Sequence, residues 1–235
     1  MKRNKTYWEK EIGVSWTKEL TEILRDPYMN KLMDFVQVQY AMNTIYPIQK
    51  ENVFNTFKLT PWDNLKVVII NDLQNSCNLI PNNLLFGEQH IHPHPNGSIK
   101  EIRNCLERDY EEILLDFDTS LVSWAKQGVL MLNQSLTFLE DDYNSHLKPW
   151  NKFIQFVISH IAKNKPSVVF MLWGDYGKSF SPNLIDKNHV FSCSSPIESI
   201  SNYKDWKCSN FKDVNTLLES ILGENEIIKW NKYIN

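Results

Sequence analysis

The chain of 235 residues carries 25 Lys+Arg against 28 Asp+Glu, a formal charge of -3, with 42% hydrophobic and 12% aromatic residues. That length suits one compact α/β domain, and the apolar share excludes wholesale disorder. The near-neutral balance lacks the basic surplus of a bulk phosphate binder, and the 7 Gly and 10 Pro include neither GxxxxGK(S/T) nor GxGxxG, which excludes the common Gly-rich phosphate cradles.

In chain order, Met1 to Lys10 is polar with no apolar stretch behind its basic residues, which argues against a secretory leader. No run reaches the roughly 18 apolar residues of a membrane span. The first forty residues read as helical, because Leu20, Ile23, Leu24, Leu32, Phe35, Val36 and Tyr40 recur at helical spacing. A polar linker holding Tyr46, Pro47 and Phe54 follows. Leu65–Ile70 is then a nearly continuous β-branched run of the kind that suits a strand covered on both faces. Gly128–Leu132, Val168–Leu172 and His189–Ser192 resemble it. Amphipathic stretches at Ile99–Leu106, Leu121–Gln127, Lys152–Ile161 and Phe211–Leu222 lie between or beside these runs.

Strands alternating with helices predict one domain over residues 1–235 with a mostly parallel four-stranded sheet, helices on both faces, and no internal repeat. In such sheets ligands sit beyond the carboxyl ends of the strands, so the chemistry is sought in Asn71–Cys77, Asn133–His146, Trp173–Ser179 and Cys193–Ser201. Cys77, Cys105, Cys193 and Cys208 form no CxxC pair and read as free thiols in a reducing compartment, cytoplasm or nucleus.

These segments together resemble the uracil-DNA glycosylase family, in its large cellular and viral branch. Thr44-Ile45-Tyr46-Pro47 with Val53-Phe54-Asn55-Thr56-Phe57 is similar to the family's opening segment, and Lys66–Ile70 to its first core strand. Gly128–Asn133, Leu136-Thr137 and Asn144-Ser145-His146 resemble the second strand and its loop, and Phe170–Gly174 the third. Cys208, Phe211 and Asn215 with Ile228-Lys229-Trp230 resemble the carboxyl end. The resemblance covers nearly the whole chain and implies a three-layer α/β/α sandwich.

The catalytic signatures depart from the family. Where the family has Gly-Gln-Asp-Pro-Tyr-His, this chain has Asn71-Asp72-Leu73-Gln74-Asn75-Ser76, so Leu73 stands for the Asp that activates water, and Asn75 for the Tyr that closes the pocket. Where the family has His-Pro-Ser-Pro-Leu-Ser, this chain has Ser195-Pro196-Ile197-Glu198-Ser199-Ile200. Ser195 replaces the His that stabilises the departing base, Ser199 replaces the intercalating Leu, and the adjacent Ile200 is the substitute wedge. Asp72 falls where another branch of the superfamily carries its acidic residue, and is the one catalytic candidate if the protein is active.

The resemblance implies a base pocket of Asn75, Phe86, Asn133 and Ser195, with Phe86 stacking on the base and Asn133 reading its edge. An Asn carboxamide offers an acceptor and two donors, which suits the O4/N3–H face of uracil or thymine. Ordinary readings stand beside these roles: Phe86 as core, Asn133 bonded at its own strand end, Ser98 as the N-cap of the helix at Ile99. Ser98, Ser145, His146, Asp175, Pro196, Ser199 and Ile200 are the implied DNA-contact positions. Asp175 and Glu198 place carboxylates where phosphate is expected, partly offset by Lys178, Lys204 and Lys207.

His90, His92 and His94 alternate as metal ligands can, but fall in the family's proline-rich loop, which holds no metal, and Glu140-Asp141-Asp142 reads as a solvated cluster. No metal and no cofactor are expected. The expected function is a glycosylase-fold protein that binds DNA, a pyrimidine base or a protein partner without ordinary uracil excision, as a monomer off the membrane. The alternatives are an active glycosylase for thymine or 5-modified pyrimidines using Asp72, and a pure protein-interaction adaptor or decoy.

Overall fold

The computed structural model describes residues 3–71, 82–84, 87, 97–184, 189–202, 204–208 and 210–232. The helical N-terminal region is four helices, α1 (Lys5–Ile12), α2 (Val14–Glu19), α3 (Thr21–Arg25) and α4 (Pro27–Met42). Local chemistry sets their starts. Asn4 caps α1 by accepting from the Tyr7 N–H, and Asp26 caps α4 by accepting from Tyr28 N–H, with Pro27 in the first turn.

Strand β1 (Ile45–Tyr46) and helix α5 (Asn55–Leu59) occupy the stretch expected as linker. Then come β2 (Val67–Ile70), α6 (Gly97–Tyr110), α7 (Val122–Lys126), β3 (Val129–Leu132), β4 (Phe138–Leu139) and α8 (Leu147–Asn164). The chain continues through β5 (Val169–Trp173), α9 (Gly174–Ser179), α10 (Ser181–Leu184), β6 (His189–Cys193), α11 (Pro196–Ser201) and α12 (Asn210–Leu222).

Four strands form one all-parallel sheet in the order β3-β2-β5-β6, while β1 and β4 pair antiparallel as a separate ribbon. Successive side chains on a strand face opposite ways, and the four apolar runs split accordingly. Val68, Ile70, Leu130, Leu132, Phe170 and Leu172 enter a core shared with α1–α5 and α8. Val67, Ile69, Val129, Met131, Val169, Met171 and Trp173 enter a second core shared with α6, α7 and α12. Covering on both faces is the reason these strands read as continuous apolar runs rather than alternating ones. The expected three-layer α/β/α sandwich is therefore the observed one.

Strand order places the point where chain direction reverses between β2 and β5, because β2 connects outward to β3 and β5 to β6. A crevice forms at the carboxyl end of such a point. There α9 approaches the sheet closely: a Cβ added at Gly177 would lie 2.6 Å from the Ile70 carbonyl oxygen. Among the described residues, no helix is long and apolar enough to cross a membrane.

Candidate functional site

Ile70 is level with Leu132 and with Leu172, and Trp173 is level with Cys193. One residue beyond β2 and β3, this register aligns Asn133, Asn71, Trp173 and Cys193 in a single row across the carboxyl edge. The pleat assigns all four to the face that packs under α6 and α12, at a strand spacing of about 4.8 Å. Asn71 and Asn133 are both buried. Asn133 is 2% exposed, and its Oδ1 has no hydrogen-bond partner among the described residues. The reading in which Asn133 bonds its own strand end therefore does not describe this oxygen. A buried acceptor in that state costs about 1–3 kcal/mol until a donor reaches it.

Asn71 was not among the pocket residues expected from the sequence. It stands where the family has a glycine, so the row gains a side chain there. Its signal is register: it follows the last residue of β2 as Asn133 follows the last residue of β3.

Residues 82–84 and 87 form a hydrogen-bonded shelf. Asn83, at φ 67°, donates from Nδ2 to the Val53 and Leu136 carbonyls at 2.5 and 3.2 Å. Asn82 donates to the Ser120 carbonyl at 2.6 Å and accepts from the Leu84 N–H at 2.9 Å, while Asn55 donates to the Asn82 carbonyl at 2.9 Å. Gly87 N–H donates to the Leu84 carbonyl at 2.6 Å. No larger residue fits at Gly87, since a Cβ would lie 2.4 Å from the Ser120 carbonyl oxygen. Residues 82–84 and 87 are thus pinned. Asp72, Leu73, Asn75, Phe86 and the histidines at 90, 92 and 94 lie outside the described residues.

The segment after β6 departs most from expectation. In place of a loop there is α11, with Pro196 in its first turn and a reciprocal capping box: Ser195 Oγ accepts from Ile197 N–H and Glu198 accepts from Ser195 N–H, both at 3.4 Å. Glu198 therefore turns back onto the helix rather than out towards phosphate. Ser195, expected in the base pocket, is 1% exposed, and Pro196 and Ser199, expected at the DNA face, are buried within α11. Ile200 is 42% exposed and keeps its place as an outward apolar residue. Its Cδ1 lies over the start of α6, 2.8 Å from where a Gly97 Cβ would be.

Three further positions are tied into the fold. Ser98 lies inside the first turn of α6, which begins at Gly97, and is buried rather than capping the helix. Ser145 spends its hydroxyl within the β4 turn, accepting from Leu139 N–H at 2.9 Å and donating to the Asp142 carbonyl at 2.6 Å. His146 is 1% exposed; its Nδ1 pairs with Thr137 Oγ1 at 2.9 Å, Thr137 also accepts from Trp150 Nε1, and Phe35 packs edge-on at 4.9 Å. Burial holds this imidazole below its ordinary pKa, so it is a neutral core group. Its place in the interior rules out a phosphate contact.

Asp175, expected in a loop, is exposed in the first turn of α9, with Lys178 exposed in the last. A cavity of about 550 Å³ beside α11 is lined by Ser194, Glu198, Ser199, Asn202, Lys204, Asp205 and Lys207, so two of the compensating lysines border it together with two carboxylates. Glu140, Asp141 and Asp142 are exposed. Among the described residues, no group of three or more His, Cys, Asp or Glu stands together as a metal site.

The fold and edge define a three-layer α/β/α protein with a row of strand-end side chains, the buried Asn133 among them, along the carboxyl edge of its parallel sheet. No family model matches the chain. It is 36% identical over 222 residues to the uracil-DNA glycosylase of Francisella philomiragia, covering 92% of this chain and 99% of that one. It is 34% identical over 221 residues to that of Francisella tularensis subsp. novicida, covering 93% and 99%. The chain belongs to the uracil-DNA glycosylase family. Among solved structures, it resembles mimivirus uracil-DNA glycosylase with a TM-score of 0.80 at 20% identity, over 97% of this chain and 90% of that one. A mimivirus Y322L variant in complex with UGI matches with a TM-score of 0.78 at 20% identity, over 92% and 87%.

Proposed function

We propose that this member of the family reads a pyrimidine base of DNA through Asn133 and does not carry out ordinary uracil excision. The supporting observation is the Asn133 carboxamide, buried at the carboxyl edge of the sheet with Oδ1 unpartnered among the described residues. Its oxygen accepts the N3–H of uracil or thymine while Nδ2 donates to O4, which turns an unpaired acceptor into half of a bidentate contact.

The case against excision rests on the two substituted positions. Leu73 has no group that takes a proton from water, and a positioned base contributes about 10²–10⁴-fold. Ser195 offers a hydroxyl already employed as a helix cap in place of an imidazole; losing a stabiliser of the leaving anion costs about 10²–10³-fold. These effects are not additive, yet either one leaves little of an ordinary glycosylase rate. Duplex or single-strand affinity is carried by the exposed Lys178, Lys204 and Lys207 and is expected to fall with salt.

The experiment is incubation of the purified chain with uracil-containing, thymine-mismatched and 5-modified oligonucleotides, scoring both retention and abasic sites. Retention of pyrimidine-bearing strands without abasic sites supports the reading. Abasic sites lost in Asp72→Ala replace it with the altered-specificity enzyme, and no retention at low salt replaces it with a protein-interaction role.

A further inference from the structure

Three sulfurs meet where the last strand leaves the sheet. Cys193 closes β6, and its Sγ lies 2.6 Å from Sγ of Cys208, fifteen residues further on. Cys105, on α6, donates its thiol to the Cys208 carbonyl at 2.9 Å. The two sulfurs are thus in direct contact, within the reach that a disulfide requires. Both thiols are free, Cys193 partly exposed and Cys208 buried.

Contacts that involve neither sulfur hold this approach. Trp206 Nε1 donates to the Ser194 carbonyl at 2.9 Å, and Trp206 N–H donates to Glu101 at 3.2 Å. Arg108 donates to the Trp206 carbonyl, and the Trp206 ring packs edge-on against Trp173 at 4.9 Å. The residues just after Cys193 and just before Cys208 are therefore fastened to each other and to α6. The neighbouring Cys208 thiol and burial raise the Cys193 pKa, and burial pushes Cys105 up to about 11. The pair rests in the dithiol form and reacts slowly with an oxidant.

We propose that Cys193 and Cys208 are a modification site at which a hydroperoxide forms a reversible intramolecular disulfide, closing the 194–207 segment that carries α11. In the first step the partly exposed Cys193 sulfur takes the distal peroxide oxygen, the O–O bond breaks, and water leaves. In the second, Cys208 sulfur attacks the resulting sulfenic acid, the S–O bond breaks, and a second water carries away the remaining proton. Two thiols and one H₂O₂ thus give one disulfide and two waters. Cys105 lies against the Cys208 carbonyl and takes no part. The proposal depends on sulfur geometry alone and stands independently of what the pocket binds.

The test uses the full chain. After prolonged H₂O₂ treatment, carried on until the thiol count is constant, denatured thiols are counted, a protease digest is mass-mapped, and thermal unfolding is recorded with and without dithiothreitol. The four thiols of the sequence are expected to fall to two, with a cross-linked 193–208 peptide lighter by two hydrogens. Tm is expected to rise by about 5–10 °C, as for a disulfide closing a loop of this size, and to return on reduction. Cys105→Ser should keep the cross-link, and Cys193→Ser should lose it. Four titratable thiols after oxidation, terminal oxidation to sulfinic acid without a cross-link, or a bridge to Cys105 or Cys77 each overturns the proposal. The wild-type peptide map decides it even where a variant fails to fold.

Discussion

Substituting Asn133→Leu removes the open carboxamide while roughly conserving side-chain volume. In the unliganded protein its Oδ1 lacks a partner among the described residues, a state that costs about 1–3 kcal/mol. The introduced isobutyl group would instead face the apolar cluster that receives Met131, Ile69 and Trp173. The free variant is therefore expected to be more stable by about 1 kcal/mol, read from urea unfolding with an unchanged m-value. Binding moves the other way. Two hydrogen bonds to the base edge, each worth about 0.5–1.5 kcal/mol, predict a loss of about 1–3 kcal/mol, or about 5–150-fold in Kd, by fluorescence anisotropy with a uracil- or thymine-bearing oligonucleotide. Opposite signs distinguish a side chain kept for a ligand from one kept for the fold. A variant destabilised by more than about 2 kcal/mol, with binding lost only in proportion to unfolding, refutes the reasoning.

Three other perturbations follow from the same geometry. Ser195→Ala deletes the cap of α11 and should cost about 1 kcal/mol of stability by chemical denaturation while leaving oligonucleotide retention unchanged; retention lost beyond the unfolded fraction would return Ser195 to the base pocket. Gly87→Ala drives a Cβ into the Ser120 carbonyl, so a loss of about 1–3 kcal/mol and weaker oligonucleotide retention are expected, and a neutral outcome would show that the shelf yields. His146 has a folded-state pKa lowered by burial. Above the ordinary value of about 6.5 the imidazole is neutral in both states and costs nothing. Below it the unfolded chain binds a proton that the folded chain refuses, so stability falls as pH drops, by at most about 1.4 kcal/mol per pH unit. His146→Phe should flatten that part of the stability-versus-pH curve, and an unchanged slope would assign it to other groups.

Much of the fold is legible in the sequence because its signals are local. The β-branched runs locate the four sheet strands to within two residues, and amphipathic spacing locates α6, α7, α8 and α12. Strands β1 and β4 are two residues each and exist only through pairing across the chain, Ile45 with Leu139 and Tyr46 with Phe138, so no periodicity announces them. Helix α11 did have a signal. Ser195-Pro196 followed by Glu198 is a capping-box pattern with proline in the first turn, which the family's loop-like motif obscured.

Asn71 joins the site through strand register, and His146 leaves the surface because Thr137, Trp150 and Phe35 surround it. Both facts depend on which distant segments meet, as does the approach of Cys193 to Cys208. The carboxyl edge of the sheet, where the sequence places the candidate site, was thus legible, with Asn133 on it. The individual roles around α11 depended on tertiary contacts.

The most direct measurement is single-turnover release of uracil from a single-stranded oligonucleotide with the protein in excess, run beside retention of the same strand. Retention with no abasic sites over a time in which an ordinary glycosylase goes to completion is the expected result. Stoichiometric abasic sites, abolished by Asn133→Leu, would contradict it and make this chain a working glycosylase with a rebuilt catalytic loop.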